Sequence, residues 1–285
     1  MRRMQGEADD PTPHLSDSQV RAYLEVLGVR RAAPSHGSLC ELVRAQVTRV
    51  PFENISKLLY RRRLGLREVP DLELYLDGIR EHHLGGTCYP NGFHFCTLLR
   101  ALGYHAALCG AAMRSGEDVH VAIMVALAGR EWVVDVGYGA PFLAPLPRDA
   151  EDDVVVKFGR DRYVLKPRDP SGRSRLEVYR RGELLHGYAV NPAPRAIAHF
   201  RSVVRDSFRE GAPFMNAVVA IRHSESASVA IHNLEVVRST RDAWSEERLA
   251  DRTALVEAIE RDFAIPSAIT HEAITGLELV GDVYA

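Results

Sequence analysis

The sequence predicts an α+β protein with an N-terminal helical region, a central antiparallel β-barrel and a C-terminal α/β lid. Three observations lead there. Apolar residues recur at helical spacing between capping signals as far as Gly103, strand-length runs take over from Tyr104, and helical and strand patterns alternate in the last third. The expected regions are 15–103, 104–192 and 193–285. A polar tail over 1–14, where Pro11 and Pro13 precede any periodic pattern, is expected to be disordered.

Taken in order, Ser16-x-x-Gln19 resembles a capping box opening a helix through Val26 that ends at Gly28. Ser38-x-x-Glu41 opens a second through about Val47. Asp71, after Pro70, starts a third that runs toward His83 with Leu72, Leu76 and Ile79 on one side. In the fourth, Phe95, Leu98, Leu99 and Leu102 follow i, i+3, i+4, i+7 and Gly103 closes the run. Strands are expected over 104–113, 119–127, 131–136, 154–158, 162–165, 174–180 and 183–189. The Asp169–Arg173 stretch reads as an exposed turn. The last third reads as an amphipathic helix from about Pro194 to Phe208, strands near 214–222 and 227–238, and a helix from Asp251 to Phe263.

A chain of 285 residues, 46% hydrophobic, can bury an ordinary core. Its net charge of −2 gives no electrostatic case for a nucleic-acid or membrane partner, and no apolar run is long enough to span a bilayer. The charged opening residues lack the apolar core of a signal peptide, so the expected location is cytoplasmic. Four cysteines without regular spacing argue against a disulfide framework. The basic residues are arginine apart from Lys57, Lys157 and Lys166, which points to a GC-rich bacterial genome.

The stretch Leu84-Gly85-Gly86-Thr87-Cys88-Tyr89-Pro90-Asn91 delivers a cysteine to the start of the fourth helix. Pro90 suits a first turn, where its missing N–H is not needed. At such a position the macrodipole and unpaired N–H groups favour a thiolate and can hold a developing oxyanion. Gly85, Gly86 and Thr87 form the turn that supplies this backbone. Taken alone, Cys88 also reads as a buried structural cysteine; its partners favour a nucleophile. Residues 119–125 and 132–136 read as a hairpin across Leu127-Ala128-Gly129-Arg130, in which His120 can lie opposite Asp135. Cys88, His120 and Asp135 then form a triad: the histidine takes the thiol proton, the aspartate orients the ring, and sulfur attacks a carbonyl.

These residues resemble the motifs of the arylamine N-acetyltransferases. Val50-Pro51-Phe52-Glu53-Asn54 is similar to a segment of that family, as are the Gly-Gly-x-Cys turn, Val119-His120 and Val134-Asp135-Val136-Gly137-Tyr138-Gly139. The resemblance spans roughly residues 15–147 and continues more weakly to the C-terminus. It implies a cysteine-protease-like acyltransferase fold and a ping-pong enzyme. Cys88 would be acylated by acetyl-CoA or another acyl thioester, without a metal, and would pass the group to a small-molecule amine acceptor. Phe52, Gly137 and Tyr138 would line the acceptor site, core packing being the competing reading for the two aromatics. By the same resemblance, Phe214, Met215 and Asn216 would shape the donor cleft, core packing being the competing reading for Phe214 and Met215.

Two positions depart from the family pattern. Leu84 stands where the family usually has the arginine that supports the Glu53 position; Arg61, Arg62, Arg63, His82 and His83 are the available substitutes. After the cysteine, Pro90 and Asn91 stand in a rebuilt loop. Adjacent histidines at 82 and 83, with His94 and Cys96 following, lack metal-site spacing. Arg61-Arg62-Arg63 reads as a solvated face or as a contact for CoA phosphates. Three other functions keep this scaffold. One is a biosynthetic amide synthase taking a larger acyl thioester, with an acyl carrier protein as partner. The others are a cysteine hydrolase and a catalytically silent binding module.

Overall fold

The structure, a computed structural model, describes residues 14–279. Apart from His14, the tail expected over 1–14 lies outside the described residues. Helix α1 (Asp17–Leu27) carries the expected capping box of Ser16 and Gln19 and ends at Gly28 with φ 60°. Helix α2 (His36–Arg49) begins earlier than expected, because Ser35 is the cap and Ser38 answers it from the third helical position. Strand β1 (Phe52–Glu53) then leads into α3 (Ile55–Leu64), which was not expected. Its three arginines interrupt the apolar pattern, and Asn54 at its N-cap makes no side-chain capping bond. Helix α4 (Leu72–His82) is capped by Asp71, and α5 (Cys88–Ala101) follows the Gly-Gly turn. Tyr23, Leu27, Leu39, Val43, Tyr75, Phe95 and Leu98 belong to the core that joins α1, α2, α4 and α5.

The central sheet contains β2 (His105–Met113), β3 (Gly116–Leu127), β4 (Arg130–Val134), β5 (Leu146–Pro147), β6 (Val154–Phe158), β7 (Asp161–Leu165), β8 (Ser174–Arg180) and β9 (Glu183–Pro194). All pairs are antiparallel, in the order β5-β4-β3-β2-β9-β8-β7-β6, and the sheet curls into a nearly closed barrel. Ala128 and Gly129, at φ 52° and 76°, form the two-residue β3–β4 turn. Strand β9 outruns its expected end at 189 and replaces the start of the expected helix, since Cys109 on β2 still pairs with Pro194. Only a 3-10 turn (Ile197–Phe200) and α6 (Arg201–Asp206) remain of that helix.

Where a strand was expected near 214, Pro213 opens the short helix α7 (Pro213–Asn216). The second sheet has the order β1-β10-β11-β12-β13, with β10 (Val219–His223), β11 (Ala227–His232), β12 (Glu235–Thr240) and β13 (Trp244–Arg248). Asn233, at φ 53°, turns the expected 227–238 strand back on itself. Helix α8 (Arg252–Phe263) is capped by Asp251, and α9 (Ser267–Ile274) follows. Ile55 and Leu59 of α3 share a core with Ile259, Phe263 and Ile269, so β1 and α3 pack with the C-terminal elements. No described helix is long and apolar enough to cross a membrane.

Candidate active site

Cys88 is the first residue of α5, and its buried sulfur lies 4.0 Å from the Val119 carbonyl oxygen, next to His120. The N–H groups of the first helical turn have no intrahelical acceptor. On β3 and just beyond β4, His120 Nε2 and Asp135 Oδ2 are 2.9 Å apart, with side chains 3% and 1% exposed. The register differs from the expected one. Extending the pairing of Ile123 with Val134 sets Asp135 level with Ala122, so the two side chains meet diagonally on one face. The other Asp135 oxygen accepts the Gly137 N–H at 2.9 Å.

Burial alone would push the His120 imidazolium down. The Asp135 carboxylate, and after it the Cys88 sulfur, outweigh burial and hold the ring's pKa up at about 10. Tyr138 and Tyr188 pack on the imidazole with centroids 5.2 and 4.7 Å away, and the Tyr138 hydroxyl is 2.6 Å from His186 Nδ1. Gly137 has no room for a side chain: a Cβ there would stand 2.8 Å from the Cys88 Cα.

The Gly-Gly turn is fastened from below. Buried Glu53 accepts the Gly85 N–H on Oε1 at 2.8 Å and the Ser56 N–H on Oε2 at 2.9 Å. None of the five substitutes for the missing arginine reaches it; Arg63 pairs with Glu272 and Arg62 with the Thr275 carbonyl. Burial raises the Glu53 pKa, and its hydrogen bonds with Ser56 and Gly85 oppose the shift. Gly86 donates to the Pro51 carbonyl, so the N–H groups of both glycines are engaged in the turn. Asn91 closes the brace: Nδ2 donates to the Gly86 carbonyl at 2.8 Å, and Oδ1 accepts the Tyr75 hydroxyl. Gln46 and Tyr23 extend this chain, with Gln46 Nε2 donating to Tyr75 and the Tyr23 hydroxyl donating to Gln46 Oε1. Gln46, Tyr75 and Tyr23 belong to no motif in the sequence; a glutamine inside the apolar run of α2 was the available signal.

Phe52 pairs with Ile221, bridges to Gly86 and meets the Phe214 ring edge-to-face at 6.2 Å. Asn54 holds the segment beyond it: Nδ2 donates to the Phe214 and Ala217 carbonyls at 2.8 and 2.7 Å, and Oδ1 accepts the Val219 N–H. Asn216 ends α7 partly exposed, and its side chain makes no hydrogen bond among the described residues. His94 stacks on Tyr75 and bonds the Pro70 carbonyl, and no described group of three or more His, Cys, Asp or Glu side chains is arranged to hold a metal ion.

A helical region, a nearly closed antiparallel barrel and a C-terminal sheet, assembled in this way, make the scaffold of an acyltransferase. The sequence model of the family described as N-acetyltransferase matches residues 37–270, and the chain belongs to the arylamine N-acetyltransferase family. Proansamycin X synthase of Amycolatopsis mediterranei is 25% identical over 243 residues, which cover 78% of this chain and 92% of that protein. The arylamine N-acetyltransferase of Nocardia farcinica superposes with a TM-score of 0.78 at 24% identity, covering 95% of this chain and 99% of that one. The Mycobacterium marinum enzyme, solved in complex with CoA, gives a TM-score of 0.75 at 21% identity, covering 90% and 98%.

Proposed function

We propose that this acyltransferase works through a Cys88–His120–Asp135 triad, taking an acyl group from a CoA thioester to an arylamine nitrogen. The observation that carries the reading is the buried 2.9 Å His120–Asp135 pair beside a thiol at a helix start. With the imidazole held protonated, Cys88 attacks as a thiolate. Its sulfur–carbon bond forms, the donor's thioester bond breaks, and His120 passes its proton to the departing CoA sulfur. An amine then attacks the acyl-enzyme, His120 takes the amine proton, and the carbon–sulfur bond to Cys88 breaks to restore the thiolate. The free N–H groups at the start of α5 stabilise both tetrahedral intermediates. Phe52 and Phe214 wall the acceptor, Gly137 and Tyr138 shape the histidine side, and Asn216 borders the donor route. The CoA complex of the Mycobacterium marinum relative supports the donor assignment.

The reaction uses a free thiol, which suits a reducing cytoplasm, and the arginine-dominated basic set suits a bacterial source. A second reading keeps the triad but replaces acetyl-CoA with a larger thioester, delivered by a carrier protein. It is favoured by an alignment that spans 92% of proansamycin X synthase. Intact-protein mass spectrometry separates the two. Acetyl-CoA should add an acetyl increment to wild type and none to Cys88→Ser. Acylation by a longer thioester alone would select the second reading, and no adduct from either would refute both.

A further inference from the structure

Beside the candidate active site, a cavity of about 420 Å³ opens between the end of α3 and the segment around α6. Arg61, Arg67, Arg205 and Arg209 line it, with Phe208 among the walls. Asp206 is spent on Arg209 at 2.7 Å, and Glu210 is the other acid of the lining. Among the described residues, no carboxylate pairs with Arg61, Arg67 or Arg205. Exposed arginines at a cleft are ordinary. Lys57 makes this one different.

Lys57 stands one helical turn before Arg61 on the same face of α3. Its Nζ lies 4.2 Å from the Phe208 ring centroid and 5.8 Å from that of Phe214. It donates to Ser207 Oγ at 2.6 Å and has no carboxylate partner among the described residues, although it is half-buried. Burial pulls its ammonium down to about 8, while the Cys88 sulfur lies close enough to act in the opposite sense. A half-buried cation without a carboxylate partner is costly to maintain for packing alone. Lys57 and the arginines form one lane of positive charge that runs from the surface toward the nucleophile. Phe214 stands at its inner end and touches Phe52.

We propose that this lane binds the oxyanion carried by a substrate of Cys88, with Lys57 as the inner contact and Arg61 and Arg205 as outer ones. The inference rests on the acyl-transfer reading. Two sources supply that chemistry: the phosphates of a pantetheine thioester, and a carboxylate on the amine acceptor.

The test compares kcat/KM for matched charged and neutral substrates in wild type, Lys57→Met and Arg61→Ser/Arg205→Ser. Acetyl-CoA and acetyl-phosphopantetheine are set against acetyl-pantetheine, and an aminobenzoate is set against its methyl ester. A ratio taken within one protein sample cancels any loss of folded fraction. Wild type should favour the charged member of one pair by about tenfold or more, as charge-assisted hydrogen bonds allow. Both variants should bring that ratio toward one, and added salt should erode it. The responding pair identifies the source. No preference in wild type, or a preference that both variants keep, overturns the inference. Absence of any acyl-enzyme by mass spectrometry refutes the proposed function itself, and this inference with it.

Discussion

Glu53 holds the N–H of Gly85 at 2.8 Å in an interior from which both are closed to water. The carboxyl does through two backbone donors what a neighbouring arginine was expected to do by charge. Glu53→Ala strands the Gly85 and Ser56 N–H groups and should cost about 2–5 kcal/mol. Glu53→Gln keeps one acceptor and should cost less. Urea unfolding of both variants checks the order, and equal costs would contradict it.

The pH dependence of stability follows from His120. Its pKa rises from 6.5 to about 10 on folding, so its contribution is complete below about 6.5 and is lost as pH climbs through 10. Wild type should therefore lose stability between pH 7 and 10, and Asp135→Asn, lacking the charge, should give a flatter profile. The same variant should slow acyl transfer about a thousandfold. Parallel denaturation profiles for the two proteins would contradict this account.

Iodoacetamide at neutral pH should modify Cys88 before the other cysteines. Burial pushes the Cys109 thiol up to about 12 and raises that of Cys40, while Cys96 is 2% exposed against 9% for Cys88. Peptide mapping after partial alkylation provides the check, and earlier labelling of Cys40 would count against an activated Cys88.

Gly137→Ala introduces a Cβ 2.8 Å from the Cys88 Cα. The helix start and the loop after Asp135 must then move apart, at a cost of about 1–3 kcal/mol. Displacement of about 1 Å should slow acyl-enzyme formation roughly a hundredfold, as read by stopped mass spectrometry.

Asn54→Ala removes the partner of three backbone groups in residues 214–219. The expected loss is at least about 3 kcal/mol. Limited proteolysis should cut near Pro213 in the variant before it cuts wild type.

The helix start at Cys88 was legible because Pro90, the apolar spacing from Phe95 and Gly103 agree locally. The shared face of His120 and Asp135 was legible too, but their diagonal offset was not, since register depends on the two residues of the turn. The partner of Glu53 was invisible because it is backbone, which every residue carries. Helix α3 was hidden by charge on its outer face, and the end of β9 by pairing with a strand some eighty residues earlier. The buried Tyr23-Gln46-Tyr75-Asn91 chain draws on four helices, and no local pattern announces such an arrangement.

Among the described strands β1 pairs with β10, and Asn54 reaches across 160 and 163 residues to its acceptors. A ribosome emitting this chain would release the Cys88 helix long before the segment that closes the wall beside it. At usual elongation rates the interval is on the order of ten seconds. During that time the thiol sits in an unfinished enclosure, with Asn54 lacking its partners and β1 presenting an open edge. Completion of the active site is thereby tied to synthesis past Ile221, and a product terminated before it carries the nucleophile without the pocket that directs it.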